Sequence, residues 1–245
     1  MKIRRIYVLL IVLAACVCAI PFRAQLRRPF VAMVQTMQGK KTVADRVAQF
    51  GEAVRTRLTP AFEKIGVSYP PKSITLVGLK SERILEVWVA GPGGPRLRLK
   101  TYPILGMSGD LGPKLREGDR QVPEGLYRIE SLNPNSLYHL ALRVDYPNPE
   151  DRRRGEADGR TDLGSDIMIH GRTCSIGCLA MGDEAAEDLF VLAAETGIDN
   201  VTVILSPVDF RTRSLPAKTP PIPTWAGKLY DSIRRELDSL GKFMQ

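Results

Sequence analysis

From Ser73 onward the apolar residues abandon helical spacing and fall in short runs. These runs are Ile74-Thr75-Leu76-Val77, Ile84-Leu85-Glu86-Val87-Trp88-Val89 and Leu97-Arg98-Leu99-Lys100-Thr101-Tyr102. They are β-branched or alternate with polar residues, and turn residues such as Gly91-Pro92-Gly93-Gly94-Pro95 divide them, so they read as strands. Further strands are expected over Gly125–Ile129, Tyr138–Val144, Asp166–His170 and Val201–Leu205. A chain with this many short strands must bury its apolar faces in a sheet. The expected fold class is therefore α+β, mainly β and mostly antiparallel, with a few helices packed on it.

Three helices are expected around the strands. Val43, Val47, Phe50, Val54, Phe62 and Ile65 recur at helical spacing, with a break near Pro60. Asp183 to Thr196 opens on an Asp cap and stops at Gly197. After a Pro-rich link, Leu215 to Pro223, a last helix sets Ala226, Leu229, Tyr230, Ile233, Leu237 and Leu240 on one face. Met107–Pro123 and Asp145–Ser165 read as long polar loops, of a length that is usually functional or disordered. Within the second, Arg152-Arg153-Arg154 reads as a solvated loop tip.

Charge narrows the function. Of 35 Lys and Arg, six (Lys2, Arg4, Arg5, Arg23, Arg27 and Arg28) fall in the first 28 residues, which hold no acid; the remainder is 29 bases against 27 acids. A nucleic-acid partner needs a basic face on the folded domain, and this near-neutral body excludes that class. Lys2, Arg4 and Arg5 precede an apolar run, Ile6 to Ile20, closed by Pro21. This is the pattern of an export signal and is short for a spanning helix, so the only membrane contact expected is through this segment. Leu13-Ala14-Ala15-Cys16 resembles a lipobox; cleaved signal, lipid anchor and uncleaved anchor all fit. The expected organisation is a signal or anchor over 1–28, a linker and amphipathic helix over 29–72, a mainly-β domain over 73–207, and a Pro-rich link with a helix over 208–245.

Chemistry concentrates in Ile167-Met168-Ile169-His170-Gly171-Arg172-Thr173-Cys174-Ser175-Ile176-Gly177-Cys178. A strand delivers His170 to its end, and a loop of small residues returns a thiol. A free thiol is only a few per cent ionised at neutral pH, and an imidazole beside it can accept its proton. Gly177 lets backbone N–H groups near Cys178 approach a developing oxyanion, and the Gly171 carbonyl is placed to hold the second ring nitrogen. Other readings fit the same residues. His170 and Cys178 are equally compatible with a structural role. His170, Cys174 and Cys178 are candidate metal ligands lacking a fourth, and Cys174 and Cys178 are a candidate disulfide in an oxidising compartment.

The stretch His170-Gly171 with Ser175-Ile176-Gly177-Cys178 resembles the active-site signature of the YkuD-type L,D-transpeptidases, and within them the YafK/DpaA-like branch. The resemblance extends to Ser108-Gly109-Asp110-Leu111-Gly112-Pro113-Lys114-Leu115-Arg116-Glu117-Gly118-Asp119, Gln121, Pro123-Glu124-Gly125 and Tyr127. It continues through Leu132-Asn133-Pro134-Asn135-Ser136, His139, Tyr146-Pro147-Asn148, Asp151-Arg152, Ala180-Met181 and Asp183. It implies a β-sandwich-like catalytic domain with flanking N- and C-terminal helices, no metal and no cofactor. The implied nucleophile is Cys178, the base His170, and the oxyanion and orienting backbone Gly177 and Gly171. The implied substrate is a peptidoglycan stem peptide at a diaminopimelate centre, processed through a thioester in the periplasm or cell envelope. Implied partners are a wall-linked lipoprotein or outer-membrane protein. Amine attack on the thioester gives transpeptidation; water gives an amidase that releases wall-bound lipoprotein.

Two positions depart from the commoner family pattern. Ile176 stands where a His is usual two residues before the nucleophile, and Ala180 where an Arg or Asn is usual after it. Both suit the YafK/DpaA-like branch and keep hydrolysis level with cross-linking. His139 lies on a strand, and the resembling block around it makes it a candidate substrate contact. Arg172 and Arg120 are candidates to meet stem-peptide carboxylates, which Arg matches in bidentate fashion. A catalytically decayed wall-binding module and a metal-dependent hydrolase are the rival functions.

Overall fold

A computed structural model describes residues 39–90, 94–217 and 219–240. The expected signal over 1–28 and the linker as far as residue 38 lie outside the described residues. Contacts divide the chain after Lys41, and every element below falls in the unit that begins at Thr42.

The first helix, α1 (Val43–Ile65), starts where Thr42 and Asp45 form a reciprocal capping box, and it ends at Gly66 with φ 67°. The expected break at Pro60 is absent. Pro60 sits on the exposed side, so the carbonyl it leaves unbonded, that of Thr56, is also on a solvent-facing position. The opposite stripe of Gly51, Val54, Leu58 and Phe62 is buried and keeps the helix in line.

Eight strands form one sheet: β1 (Ser73–Leu79), β2 (Ile84–Ala90), β3 (Arg96–Pro103), β4 (Gly125–Ser136), β5 (His139–Val144), β6 (Met168–His170), β7 (Leu179–Ala180) and β8 (Val201–Ser206). Their order is β3-β2-β1-β8-β4-β5-β6-β7. Pairing is antiparallel except for β1 with β8 and β6 with β7. β4 bridges the two halves, with Gly125–Arg128 on β8 and Ile129–Ser136 on β5 across register shifts.

β1 explains why a continuous apolar run is a strand here. Ile74 and Leu76 enter the core beneath α1 and the helix α3 (Asp183–Thr196). Val77 and Leu79 enter a second core with Leu229, Tyr230, Ile233 and Leu237 of α4 (Ala226–Leu240). The strand is buried on both faces, so alternation vanishes from its sequence. The mainly-β α+β reading holds, with α1, α3 and α4 packed on the sheet.

Both long loops are ordered. Over Met107–Pro123, the Asp119 carboxylate accepts from the N–H groups of Leu115, Arg116 and Gln121 and from Lys114 Nζ. Buried Lys80 donates to the carbonyls of Gly112 and Val122 and to Glu124, which also accepts from Gly112 N–H and Tyr230 Oη. The segment expected as a loop over Asp145–Ser165 contains the helix α2 (Pro149–Ala157). Asn148 caps it, Pro149 opens it and Asp151 completes a capping box, a start signal readable in the sequence. Arg152, Arg153 and Arg154 therefore lie on a helix and not at a loop tip.

Candidate active site

β6 and β7 are parallel neighbours joined by the eight-residue segment 171–178. Ile169 registers with Leu179 and His170 with Ala180. Such a return needs a backbone packed closely on itself. A Cβ on Gly106, which bridges to Ala180, would stand 2.1 Å from the Thr173 carbonyl oxygen. A Cβ on Gly171 would stand 2.7 Å from both Asp183 Oδ1 and the Tyr138 carbonyl oxygen. Only glycine fits at either place.

His170 is 2 % exposed. Its Nδ1 lies 2.6 Å from the Gly171 carbonyl oxygen, and the Tyr138 ring lies against it with centroids 4.7 Å apart. A carbonyl can only accept, so Nδ1 carries the proton and Nε2 holds the free lone pair. Burial lowers the pKa of His170 and the Gly171 contact only partly offsets this, so the ring rests neutral, as a base must.

Cys178 is half-buried and immediately precedes β7. Its Sγ accepts from Met168 N–H at 3.4 Å and lies 3.5 Å from the Asp166 carbonyl oxygen. Burial raises its pKa; the Met168 N–H and Lys114 oppose that shift, and the Asp166 carboxylate adds to it. The resting thiol is therefore protonated. No hydrogen bond joins it to His170, in contrast to the close thiol–imidazole pair the sequence suggests. Cys178 stands two residues before Ala180, the residue that registers with His170 on the parallel neighbour. Rotation about the Cys178 Cα–Cβ bond, between staggered wells, redirects the sulfur away from Asp166.

The two N–H groups expected to hold an oxyanion are occupied by hydroxyls. Gly177, at φ 83°, donates to Ser108 Oγ at 2.8 Å. Cys178 donates to Ser175 Oγ at 2.9 Å, and that hydroxyl donates back to the Cys178 carbonyl at 2.6 Å. Ser108 also donates to the Arg120 carbonyl, so the ordered 107–123 loop is fastened to the thiol-bearing loop. Both serines belong to the resembling stretches, yet nothing in their residue type or spacing gave either of them a role.

The remaining candidates are placed unequally. Arg120 and Arg172 are exposed with positive φ; Arg172 donates its N–H to Asp183 Oδ1, and the Arg120 guanidinium has no partner among the described residues. The His139 ring is elsewhere: Nε2 lies 3.0 Å from Glu187 of α3, and Phe50 of α1 meets it edge-on at 5.3 Å. Cys174 and Cys178 are both free thiols. Among the described residues no cluster of three or more His, Cys, Asp or Glu side chains suits a metal ion. Among the same residues no helix is long and apolar enough to cross a membrane.

The chain is 39 % identical over 113 residues to the Escherichia coli K12 protein named "Putative L,D-transpeptidase YafK", and equally to its counterpart in strain O157:H7. The match covers 45 % of this chain and 43 % of those relatives, so the chain spans less than half their length in the match. Among solved structures, the helical cell shape determining protein Pgp2 of Campylobacter jejuni is 24 % identical with a TM-score of 0.45, over 60 % of this chain and 50 % of Pgp2. Bd1075 of Bdellovibrio bacteriovorus is 20 % identical with a TM-score of 0.40, over 68 % and 54 %. The assignment rests on sequence: residues 74–204, more than half of the chain and the whole span from β1 into β8, match the L,D-transpeptidase catalytic domain, and the protein belongs to that YkuD family.

Proposed function

We propose that this protein is a cysteine acyltransferase of the cell envelope, acting on peptidoglycan stem peptides at a diaminopimelate centre through a thioester. The observation that carries the reading is a neutral His170, its Nδ1 proton held by Gly171, at the end of a strand whose parallel neighbour begins just after Cys178. His170 Nε2 takes the thiol proton as sulfur attacks the carbonyl carbon, so no resting ion pair is required. The carbon–oxygen pair moves onto oxygen, and the N–H groups of Gly177 and Cys178 exchange their serine hydroxyls for this oxyanion. Collapse breaks the C–N bond, the imidazolium protonates the departing amine, and an amine or water then cleaves the thioester.

A second reading, hydrolysis releasing wall-linked lipoprotein, has its own support. Ile176 is 70 % exposed where a second imidazole is usual in the family, and Ala180 is fully buried where a cation is usual. The experiment is digestion of purified wall followed by mass analysis of muropeptides, with intact-mass detection of an acyl-enzyme formed by a carbapenem. New 3–3 or 4–3 dimers indicate transfer; loss of lipoprotein-bearing fragments indicates hydrolysis. Cys178→Ala is expected to abolish both turnover and labelling. Turnover retained by that variant refutes the thioester route, and wall binding without any acyl-enzyme leaves a decayed binding module.

A further inference from the structure

The three consecutive arginines of α2 have different fates. Arg153 and Arg154 both pair with Glu150, and Arg154 also stacks 4.9 Å over the Trp225 ring. Arg152 has no ion-pair or hydrogen-bond partner for its guanidinium among the described residues. It lines two cavities of about 820 Å³ and 360 Å³, which share Pro147, Arg152, Gly164 and Ser165 as walls.

The larger cavity also presents Glu117, Glu156 and Asp162. None of these carboxylates has a side-chain partner among the described residues, although Glu156 stands four residues after Arg152 on the same helix. Arg160, the other cation of the wall, is already bonded to the Leu115 carbonyl and Asp158. One free guanidinium thus faces a space with three free carboxylates. A purely anionic ligand would meet the carboxylates, and a purely cationic one would leave Arg152 unused. A ligand carrying both an ammonium and a carboxylate satisfies both sides, and guanidinium binds carboxylate through two parallel N–H donors.

Position ties this space to the thiol. Ser165 of the shared wall precedes Asp166, whose carbonyl oxygen is 3.5 Å from Cys178 Sγ. With successive Cα atoms 3.8 Å apart, the wall begins within about 10 Å of the sulfur, roughly three extended residues. We infer that this cavity receives the zwitterionic amino-acid head of a peptide whose reacting carbonyl lies at Cys178, with Arg152 binding its carboxylate. The inference rests on the acyl-transfer reading for where the peptide lies; within that reading the head is the distal centre of diaminopimelate.

The test measures calorimetric binding of two stem tetrapeptides to the full chain carrying Cys178→Ala. One peptide has a free distal diaminopimelate carboxylate and the other has it amidated. The free acid is expected to bind about tenfold more tightly, in keeping with a charge-assisted hydrogen bond. Adding Arg152→Gln is expected to erase that preference, and Arg152→Lys to restore part of it. Equal affinity for both peptides, a preference that survives Arg152→Gln, or no binding of either peptide overturns the subsite. Acyl-enzyme formation on the unsubstituted chain is read separately. Its absence, with the preference present, removes the acyl-transfer reading and leaves the subsite.

Discussion

Glu124 offers the sharpest stability test, because its carboxylate joins three parts of the fold in a fully buried place. It accepts from Lys80 Nζ at 2.8 Å, Gly112 N–H at 2.7 Å and Tyr230 Oη at 2.7 Å, and the side chains of Lys80 and Glu124 are 1 % and 0 % exposed. Glu124→Leu leaves a buried ammonium with only the carbonyls of Gly112 and Val122. Removing one partner of a buried pair costs about 3–5 kcal/mol, a large share of the roughly 5–15 kcal/mol that holds a domain together. The double variant Lys80→Met/Glu124→Leu removes the stranded charge and should cost well under the sum of the two single variants. Urea unfolding of all four proteins closes the cycle. The variant's pH dependence has a definite sign. Burial lowers the pKa of Lys80, and losing the attraction of Glu124 lowers it further. Between that depressed folded value and the unfolded value of about 10.4, the unfolded chain binds more protons, so Glu124→Leu should regain stability as pH rises. A loss below about 1 kcal/mol, or singles that simply add, would refute the claim that this pair acts as a unit.

Other outcomes follow from the same structure. Burial raises the thiol of Cys178, so its alkylation by iodoacetamide, followed by peptide mass analysis, should lag behind exposed Cys174 at pH 7 and keep climbing beyond about pH 8.5; a plateau near neutrality would instead mean a resting ion pair. The Asp151 carboxyl is pushed up to about 6 by burial. The folded state therefore holds its proton longer than the unfolded one, and stability should fall as pH rises from about 4 to 6; Asp151→Asn should flatten that slope and gain about 1 kcal/mol at pH 7.5 in urea midpoints. Gly171→Ala forces a methyl against Asp183 and the Tyr138 carbonyl and should cost about 1–3 kcal/mol, while shifting the carbonyl that holds His170. Activity should drop more than stability explains, measured as kcat on refolding-competent protein. His139→Ala should lower the melting temperature through lost contacts to Glu187 and Phe50 yet leave KM within about twofold, since loss of a surface-facing pair costs about 1 kcal/mol or less.

Much of the strand inventory was readable because burial on one or two faces leaves a direct mark on residue order. Helix α2 was missed although Asn148-Pro149-Glu150-Asp151 is a start signal. Of the six helical residues that follow, four are charged and the others are Gly155 and Ala157, so no apolar stripe announces it. Pro60 misled in the other direction. Proline argues locally for a break, while packing along Gly51, Val54, Leu58 and Phe62 decides over the whole helix.

The site divides in the same way. Residue types and their spacing mark His170, Gly171, Gly177 and Cys178 within nine residues, because a thiol, an imidazole and tight glycines are a short-range pattern. The sequence by itself determined the mainly-β class and the family, and it nominated these four positions. Only the tertiary structure decided that Ser108, 69 residues before Gly177, holds that glycine's N–H, that His139 faces Glu187, and that Arg152 alone of the three arginines has no guanidinium partner among the described residues. Those facts depend on which distant elements meet, and pair contacts formed by packing leave no period in the chain from which to read them.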